Sequence, residues 1–524
     1  SRATFLTGRQ HLRTGVYTVI QDSVHLMHLL EREVTIAELL KEKSYQTVHL
    51  GKWHLGTPFK GIDKPSLNDH GFDYWFATDN NANPSHKDPV NFVRNGKQTG
   101  KIEGYACQII ADEAINWFDK EYQKDRPFFI NLWFHEPHAP IAAPDKIVSK
   151  YGKVNDPSAI YSGTVENTDN AIGRILKKLD SLGELENTII VYTSDHGSYR
   201  SERNGDLRGD KGSNFQGGLR TPGIIYWPKG IKGGQTLSNP AGSVDLLPTL
   251  CGLLHIAPPK NVHLDGSNLA PLLTTKGQFR RKQSLFWHSP TGQPNVALRK
   301  GNYTLLGYRK LEFKRDQNRI NELVNEAKAF IEKDLGRTVS RKEMFSMLYN
   351  SKFKNKEAEK IRGEFVRLNQ FQESWIPEIK KGSGGFRKFE LYDLKNDPNQ
   401  THDIIDQKPK LFNELKNELI ALNNSVLSDA PHWGGEEIQE RPTTGNVDSV
   451  ELERLLKKID TNKLPKAYNP STHQKYVDKR IEGMSLKQRQ MLGRLWKEKQ
   501  RIDPDMKNRG NSFIRILEYS SAID

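Results

Sequence analysis

The first 275 residues alternate between two hydrophobic patterns, and this alternation limits the fold more than any other feature. Helical periodicity, with apolar residues on one face, is found at residues 35–43, 106–118 and 169–182. Short apolar or β-branched runs lie between these segments, at residues 45–50, 128–134 and 188–193. Strands that alternate with helices are typical of a mostly parallel sheet covered by helices. We therefore predict an α/β fold, in which residues 188–193 form a buried parallel strand.

Two residues mark helix ends within this pattern. Thr35 precedes the first helical segment and is a candidate N-cap, because its hydroxyl can accept from a free backbone N–H. Gly183 directly follows residues 169–182 and is well placed to end that helix in a left-handed turn. Thr35 therefore predicts where one helix begins, and Gly183 predicts where another ends.

Polar clusters follow three of the predicted strands directly. They are residues 51–54 (Gly-Lys-Trp-His), 135–138 (His-Glu-Pro-His) and 194–197 (Ser-Asp-His-Gly). In open α/β sheets, ligand sites form at the carboxyl ends of the strands. We therefore expect the three clusters to converge in one crevice and to form an active site.

Each side chain in these clusters is ambiguous when taken alone. Asp195 can bind a hard cation, and His196 can add a nitrogen ligand, but an aspartate at a strand end is also a common loop anchor. Lys52 and Lys211 could equally be solvated, and Arg2 could be an ordinary ion-pair partner. Only the order of these residues along the chain, described below, favours a functional interpretation.

Beyond residue 280 the pattern changes to short strands and charged helices. Strand-like runs are found at residues 284–287, 295–298, 303–306 and 389–394. We predict a catalytic domain over residues 1–280 and a smaller α+β subdomain over residues 281–430, with a helical insertion at about 312–380. Residues 431–524 are polar and helix-prone, and we predict a helical C-terminal extension there.

The chain has a formal net charge of +14, which favours polyanionic partners. Sulfated polysaccharide and nucleic acid both fit this charge, as does a basic surface without a specific role. No stacking or groove-reading motif accompanies it, so we expect no nucleic-acid partner. Cys107 and Cys251 lie in apolar helical contexts and are expected to be buried free thiols. No apolar run is long enough to suggest a membrane span.

Five motifs occur in an order that resembles the type I sulfatase family of the alkaline phosphatase-like superfamily. Residues 1–9 match the end of its signature, Ser-Arg, four variable residues, then Thr-Gly-Arg. Residues 44–56 resemble its Gly-Tyr-x-Thr and Gly-Lys-x-His-x-Gly segment, with Ser44 in place of the first Gly. The other three are His-Glu-Pro-His-Ala-Pro at 135–140, the Asp-His motif at 195–196, and the Lys and Gly-Gly-x-Arg-x-Pro segment at 211–222. Gln216 stands where family members often have Glu.

The resemblance implies a mechanism for sulfate ester hydrolysis. A Cys or Ser oxidised to formylglycine attacks the sulfur, and the resulting hemisulfate releases free sulfate. By motif, Arg2 would hold the formylglycine, and Lys52 and His54 would border it, with His54 as a candidate base. His138 and Lys211 would grip the sulfate, and either could protonate the leaving oxygen. Asp195 and His196 would supply half the ligands of a divalent ion, calcium in most relatives.

The resemblance also implies residues upstream of Ser1. The formylglycine precursor would lie three positions before it, and an Asp-Asp pair on a first strand would complete the metal site. We therefore expect an N-terminally truncated chain, and residues 1–524 alone to be inactive. A formylglycine-generating or equivalent maturation enzyme would be a partner. Relatives of this kind act in the periplasm, outside the cell or in the lysosome.

The substrate is not readable from these motifs. The polar loop at residues 78–86 could line a sugar pocket, and Asn80 and His86 are its candidate substrate contacts, although an ordinary surface loop fits as well. The basic charge favours a sulfated carbohydrate. Two other functions stay open: a phosphodiesterase or phosphonate hydrolase of the same superfamily, and a non-catalytic glycan-binding relative.

Overall fold

The computed structural model describes residues 1–20, 25–56, 64–260, 262–274, 279–350, 353, 355–381 and 385–433. The chain divides into a compact unit of residues 1–59 and 64–438 and a second unit of residues 60–63 and 439–524. The second unit lies outside the described residues, and so does the predicted helical extension after residue 433. All structural statements below concern the first unit.

The strands are β1 (Gln46–Lys52), β2 (Tyr74–Thr78), β3 (Val93–Arg94), β4 (Lys97–Gln98), β5 (Phe128–Trp133), β6 (Ile190–Thr193), β7 (Gly223–Tyr226), β8 (Leu285–His288), β9 (Val296–Lys300), β10 (Tyr303–Arg309) and β11 (Phe386–Asp393). The helices are α1 (Arg2–Thr7), α2 (Ile36–Lys41), α3 (Ala106–Lys120), α4 (Asp145–Val148), α5 (Pro157–Ser181), α6 (Gln216–Leu219), α7 (Leu246–Leu253), α8 (Ala270–Thr274), α9 (Gln317–Leu335), α10 (Arg341–Asn350), α11 (Lys356–Asn369), α12 (Ile376–Lys380) and α13 (Pro409–Asp429).

The first sheet has the order β4-β3-β2-β1-β5, with β1 parallel to both β2 and β5. In this register Val48 pairs with Tyr74 on one side and Ile130 on the other. Strands β3 and β4 add antiparallel pairs at the edge, so the sheet is mixed. One face packs on α3 and α5, and the opposite face packs on α1, α2 and α7. The prediction of an α/β fold with a sheet between helices is therefore confirmed.

The N-cap prediction is confirmed, but one helix begins earlier than predicted. Thr35 Oγ1 accepts from the Glu38 backbone N–H at 3.2 Å, and a Glu38 carboxylate oxygen accepts from the Thr35 N–H at 2.9 Å. Helix α5 starts at Pro157, twelve residues before the predicted start. Asp156 caps it by accepting from the N–H groups of residues 158 and 159, and a proline suits the first helical position.

The prediction for residues 188–193 is wrong in its direction and its burial. Strand β6 pairs antiparallel with β7, with Val191 opposite Ile225, and the two form a separate two-stranded sheet. Val191, Tyr192 and Ile224 are 36%, 46% and 57% exposed. Among the described strands β6 pairs only with β7, and these apolar side chains are exposed to solvent over a third or more of their surface.

Strands β8 to β11 form a four-stranded antiparallel sheet of order β11-β10-β9-β8. Helix α13 packs on it through Leu415 and Leu419, which share a core with Leu298, Leu305 and Leu391. Helices α9, α10 and α11 lie between β10 and β11 in sequence and pack around their own apolar core. The predicted strands and helical insertion are thus observed, while the domain boundaries at 280 and 430 stay predictions.

The first 20 residues are fixed by partners that lie far along the chain. The Arg13 guanidinium pairs with Asp265 at 3.0 Å, and both side chains are only 2% exposed. Tyr17 Oη donates to the Pro431 carbonyl at 2.7 Å, and Trp433 Nε1 donates to the Gly15 carbonyl at 2.7 Å. The segment that carries Arg2 is therefore held between residues 245–289 and the end of α13.

Two further expectations from the sequence concern the described residues. Cys107 and Cys251 are free and buried. Within the described part of the chain, none of the helices has the length and apolar character of a bilayer span.

Candidate active site

Two of the predicted site residues, Lys52 and His54, lie at or just after the end of β1. Gly51 has a φ of 104°, and a Cβ there would lie 2.0 Å from the Trp133 carbonyl oxygen, so only glycine fits between β1 and β5. Just after it, Lys52 Nζ donates to Asn81 Oδ1 at 2.8 Å. The close approach of β1 and β5 at Gly51 therefore fixes the position of the neighbouring Lys52 backbone.

The His54 imidazole is held by the main chain of residue 20. Its Nε2 lies 3.0 Å from the Ile20 carbonyl oxygen, which can only accept. Nε2 therefore carries the hydrogen, and Nδ1 is left as the acceptor in the neutral ring. His54 itself has a φ of 57°, a left-handed conformation that is uncommon for a side chain of this size.

The end of β5 places His138 by a second main-chain contact. His138 Nδ1 donates to the Ala139 carbonyl at 2.6 Å. The neutral ring therefore keeps its lone pair on Nε2. His135, three residues earlier, is buried but also lines the cleft, and its Nε2 lies 2.7 Å from Thr78 Oγ1 at the end of β2.

The start of α1 meets the end of β6. Arg2 Nη1 lies 3.2 Å from Asp195 Oδ2, and the Ser1 hydroxyl donates to the Asp195 carbonyl. The Arg2 guanidinium also lies over the Trp133 ring, 5.5 Å from its centroid. Lys211 joins this region through its backbone N–H, which donates to the Ser198 carbonyl at 3.1 Å.

A cleft of about 2210 Å³ brings the predicted residues together. Its lining includes Arg2, Lys52, His54, Asn80, His138, Asp195, His196 and Lys211. The three strand-end clusters thus open into one space, as the order of the motifs predicts. His86 is the exception, because it is fully buried, 3.9 Å from Glu136, and is not among the lining residues. The structure gives His86 no direct access to a substrate, in contrast to the prediction.

Burial and mutual repulsion of the cations set the protonation of the cleft. Burial, with the nearby Arg2 charge, lowers the pKa of Lys52 to about 7. Burial and the Lys211 charge lower the pKa of His138 to about 4, and burial with Lys52 puts the pKa of His54 well below its usual value. At neutral pH both histidines are therefore neutral while Arg2 is charged.

Asp195 is the one carboxylate within this group of cations. Burial by itself would raise its pKa, but the charges of Arg2, His196, the N-terminus and Lys52 together outweigh burial, and the Asp195 pKa is lowered. Asp195 is thus ionised and neutralises one cation only. An anion with several oxygens would relieve the remaining repulsion among Arg2, Lys52 and Lys211.

The fit of a divalent ion can be judged from the donors that are present. Asp195 Oδ1 lies 3.6 Å from His196 Nε2, while the other Asp195 oxygen pairs with Arg2. His196 Nδ1 donates to the Gly197 carbonyl at 2.7 Å, which leaves Nε2 free to coordinate. Across the described residues no cluster of three or more His, Cys, Asp or Glu could hold a metal. Two donors do not make a site for an ion that needs four to eight, so calcium stays a prediction.

Three contacts that shape the site did not follow from the motifs. Asn81 holds Lys52, the Ile20 carbonyl holds His54, and the Trp133 ring lies under Arg2. Asn81 follows the predicted contact Asn80 in the same polar loop, and this adjacency was a usable signal. A carbonyl contact from residue 20 has no side-chain signature, so no sequence pattern could have shown it.

Comparison with known proteins gives three consistent matches. The family model described as Sulfatase matches residues 1–256. N-acetylgalactosamine-6-sulfatase of Canis lupus familiaris is 30% identical over 328 residues, 56% of this chain and 59% of that protein. Arylsulfatase A of Homo sapiens is 32% identical over 333 residues, 58% of this chain and 64% of that protein. The chain thus matches less than two thirds of the length of these relatives.

A solved structure shows the same fold over a longer stretch. The crystal structure of Ps i-CgsB in complex with k-i-k-neocarrahexaose has a TM-score of 0.59 and 21% sequence identity, and the match covers 82% of each chain. This likeness concerns the fold alone. It confirms the alkaline phosphatase-like α/β architecture.

Proposed function

We propose that the protein hydrolyses sulfate esters, with a sulfated carbohydrate as substrate, from the premise that residues 1–256 match the family model described as Sulfatase. One observation carries the proposal: Arg2, Lys52 and Lys211 line one cleft together with two neutral histidines. A sulfate group presents three oxygens that gain charge in the transition state and require fixed cations. This cluster supplies Arg2 and Lys211, and Lys52 as well at pH values below its pKa of about 7.

The hydrogen bonds of the two histidines divide their roles. His54 donates through Nε2 to Ile20, so its Nδ1 lone pair can accept a proton. His138 donates through Nδ1 and has a pKa of about 4, so at neutral pH it has no proton to give from Nε2. We therefore assign protonation of the leaving oxygen to Lys211, and positioning of the sulfate to His138. Formylglycine, implied by the resemblance just before Ser1, would supply the nucleophile.

Several observations support a carbohydrate substrate. The relative from Canis lupus familiaris is named for a sulfated amino sugar, and Ps i-CgsB was solved with a neocarrahexaose. The net charge of +14 attracts polyanions, and Asn80 lines the cleft where a sugar hydroxyl could bind. Calcium dependence, and action in the periplasm, outside the cell or in the lysosome, belong to the same proposal.

The full-length gene product, assayed on an aryl sulfate and an aryl phosphate diester, tests the reaction class. We expect faster turnover of the sulfate, and a loss of about 10²-fold or more in kcat for Lys211→Met, because one transition-state cation is removed. Lys177→Met, on the exposed face of α5, is the matched control and should leave kcat unchanged.

The outcomes separate the open functions. Faster turnover of the diester would identify a phosphodiesterase. Binding of a sulfated glycan without turnover of either ester, in protein shown to carry the modification, would identify a glycan-binding relative. Equal kcat for Lys211→Met and the wild type would refute the role given to Lys211.

A further inference from the structure

We propose that a second cavity, beside β10, binds another sulfate group of the same glycan chain. The proposal rests on the proposed function, because it takes a sulfated carbohydrate as the ligand. The cavity measures about 270 Å³ and lies outside the cluster of Arg2, Lys52 and Lys211. That volume is close to the lower end of ligand pockets, about 300–1,000 Å³, and suits one anionic group of a longer chain.

The lining of this cavity is cationic. Arg309, Lys310, Arg315 and Arg387 line it together with Thr291 and Asn295, and none of the described lining residues is Asp or Glu. Two carboxylates lie near it: Glu312 pairs with Lys310 at 3.1 Å, and Glu378 acts on the Arg309 charge. Glu378 also pairs with Lys381, so the carboxylates do not balance the four lining cations.

Two of these cations, Arg309 and Arg315, are held in place by neighbouring residues. Arg309 is only 2% exposed, and its backbone N–H donates to Asn295 Oδ1 at 2.7 Å. Arg315 lies over the Trp375 ring, 5.0 Å from its centroid, and that ring stacks on Phe313 at 4.6 Å. Burial disfavours the charge of Arg309 and lowers its pKa, so a bound anion would stabilise the charged form. A preorganised arginine pair is well suited to sulfate, because the guanidinium donors form a planar fork.

The cavity is connected to the catalytic cleft through one chain segment. Pro290 lines both spaces. Asn214, three residues after Lys211, donates from Nδ2 to the carbonyls of Pro294 and Asn295 at 3.1 and 2.9 Å. One residue of the catalytic cleft therefore fixes the wall of the second cavity. A glycan with sulfates on successive sugars could place one group in each space.

The proposal is tested with the double variant Arg315→Met/Arg387→Met. Its control is Lys177→Met/Lys395→Met, which removes the same charge from exposed positions elsewhere. Binding of a sulfated carrageenan hexasaccharide, of inorganic sulfate and of random DNA is measured by calorimetry. KM for the hexasaccharide and for a small aryl sulfate is measured on the full-length gene product. Both arginines are largely exposed, so folding of the variant is checked by its circular dichroism spectrum.

We expect the double variant to weaken hexasaccharide binding by about 10-fold or more, and the control by less than about 2-fold. KM for the aryl sulfate should not change, and inorganic sulfate should keep only its site in the catalytic cleft. Equal hexasaccharide affinity in variant and control overturns the second site, even when aryl sulfate is hydrolysed. Loss of hexasaccharide binding without any hydrolysis keeps the second site and refutes the proposed reaction instead. An equal loss of DNA binding overturns the assignment to a glycan.

Discussion

The Arg13–Asp265 ion pair leads to a quantitative prediction for Asp265→Asn. Asp265 accepts from Arg13 Nε at 3.0 Å, from Arg13 Nη2 at 3.1 Å and from the Gln10 backbone N–H at 2.7 Å. Both charged side chains are 2% exposed, so the variant would leave the buried guanidinium with only the partly exposed Asp429 carboxylate, 3.5 Å from Nη1, as a counter-charge. Such changes cost about 3–5 kcal/mol of the free energy of unfolding. This is a large part of a typical total of about 5–15 kcal/mol.

Urea unfolding followed by circular dichroism measures this cost. With a slope of about 3 kcal/mol/M or more for a unit of this size, the midpoint should fall by roughly 1 M. Asp406→Asn removes an exposed carboxylate and is the matched control, for which we expect no shift. The double variant Arg13→Met/Asp265→Asn should recover part of the loss, because it removes the stranded charge.

The difference in stability between the wild type and Asp265→Asn should depend on pH. Burial alone would raise the pKa of Asp265, but hydrogen bonds from His263 and the charge of Arg13 outweigh it and lower the pKa. A carboxylate whose folded pKa lies below the unfolded value of about 3.9 stabilises the fold above that value. The stabilisation is lost as pH falls through the folded pKa. Wild type and Asp265→Asn should therefore converge in acid below about pH 4. A constant difference between them down to pH 2, or equal midpoints at pH 7, would refute the reasoning.

Two further predictions concern the cleft. Gly51→Ala should prevent folding or displace β5, since a Cβ would lie 2.0 Å from the Trp133 carbonyl oxygen. Gly173→Ala, where a Cβ meets open space, is the control and should keep a native circular dichroism spectrum, and a native Gly51→Ala protein would contradict the close approach. The affinity of residues 1–524 for inorganic sulfate should fall as pH rises through about 7, because Lys52 loses its charge there. This change in affinity should be absent in Lys52→Met. If Lys52→Met shows the same change, the titrating group is another residue.

Much of the fold could be predicted from local patterns. Thr35 and residues 106–118 were placed correctly, because capping and helical periodicity depend on neighbours in the sequence. The start of α5 was missed, since its first turns hold few apolar residues and depend on the Asp156 cap. The exposure of β6 was missed because a β-branched run shows a preference for strand but does not show what covers it.

Some features of the site could likewise be predicted from local sequence, whereas others depend on residues that are distant along the chain. Strand-end clusters predicted the convergence of Lys52 and His138, because β1 and β5 are parallel neighbours in one sheet. Asp195 reaches the same cleft from β6, which lies in a separate antiparallel sheet. The burial of His86 and the tautomers of His54 and His138 depend on backbone groups that carry no sequence signal. Sequence therefore predicts which residues meet, but it does not predict which nitrogen of each ring faces the cleft.

The anchoring of the first 20 residues also has a consequence for the order in which the protein is made. Residues 9–17 are bound to Asp265, to Ser425 and to residues 431–433. A ribosome releases the N-terminal segment first, at about 5–20 residues per second, and the partners at residues 425–433 follow 412 to 418 residues later. Arg2 thus leaves the ribosome long before the residues that hold its segment in place. A nascent chain stalled before residue 425 would therefore contain Arg2 and its partner Asp195, but it would lack the contacts that anchor residues 13–17.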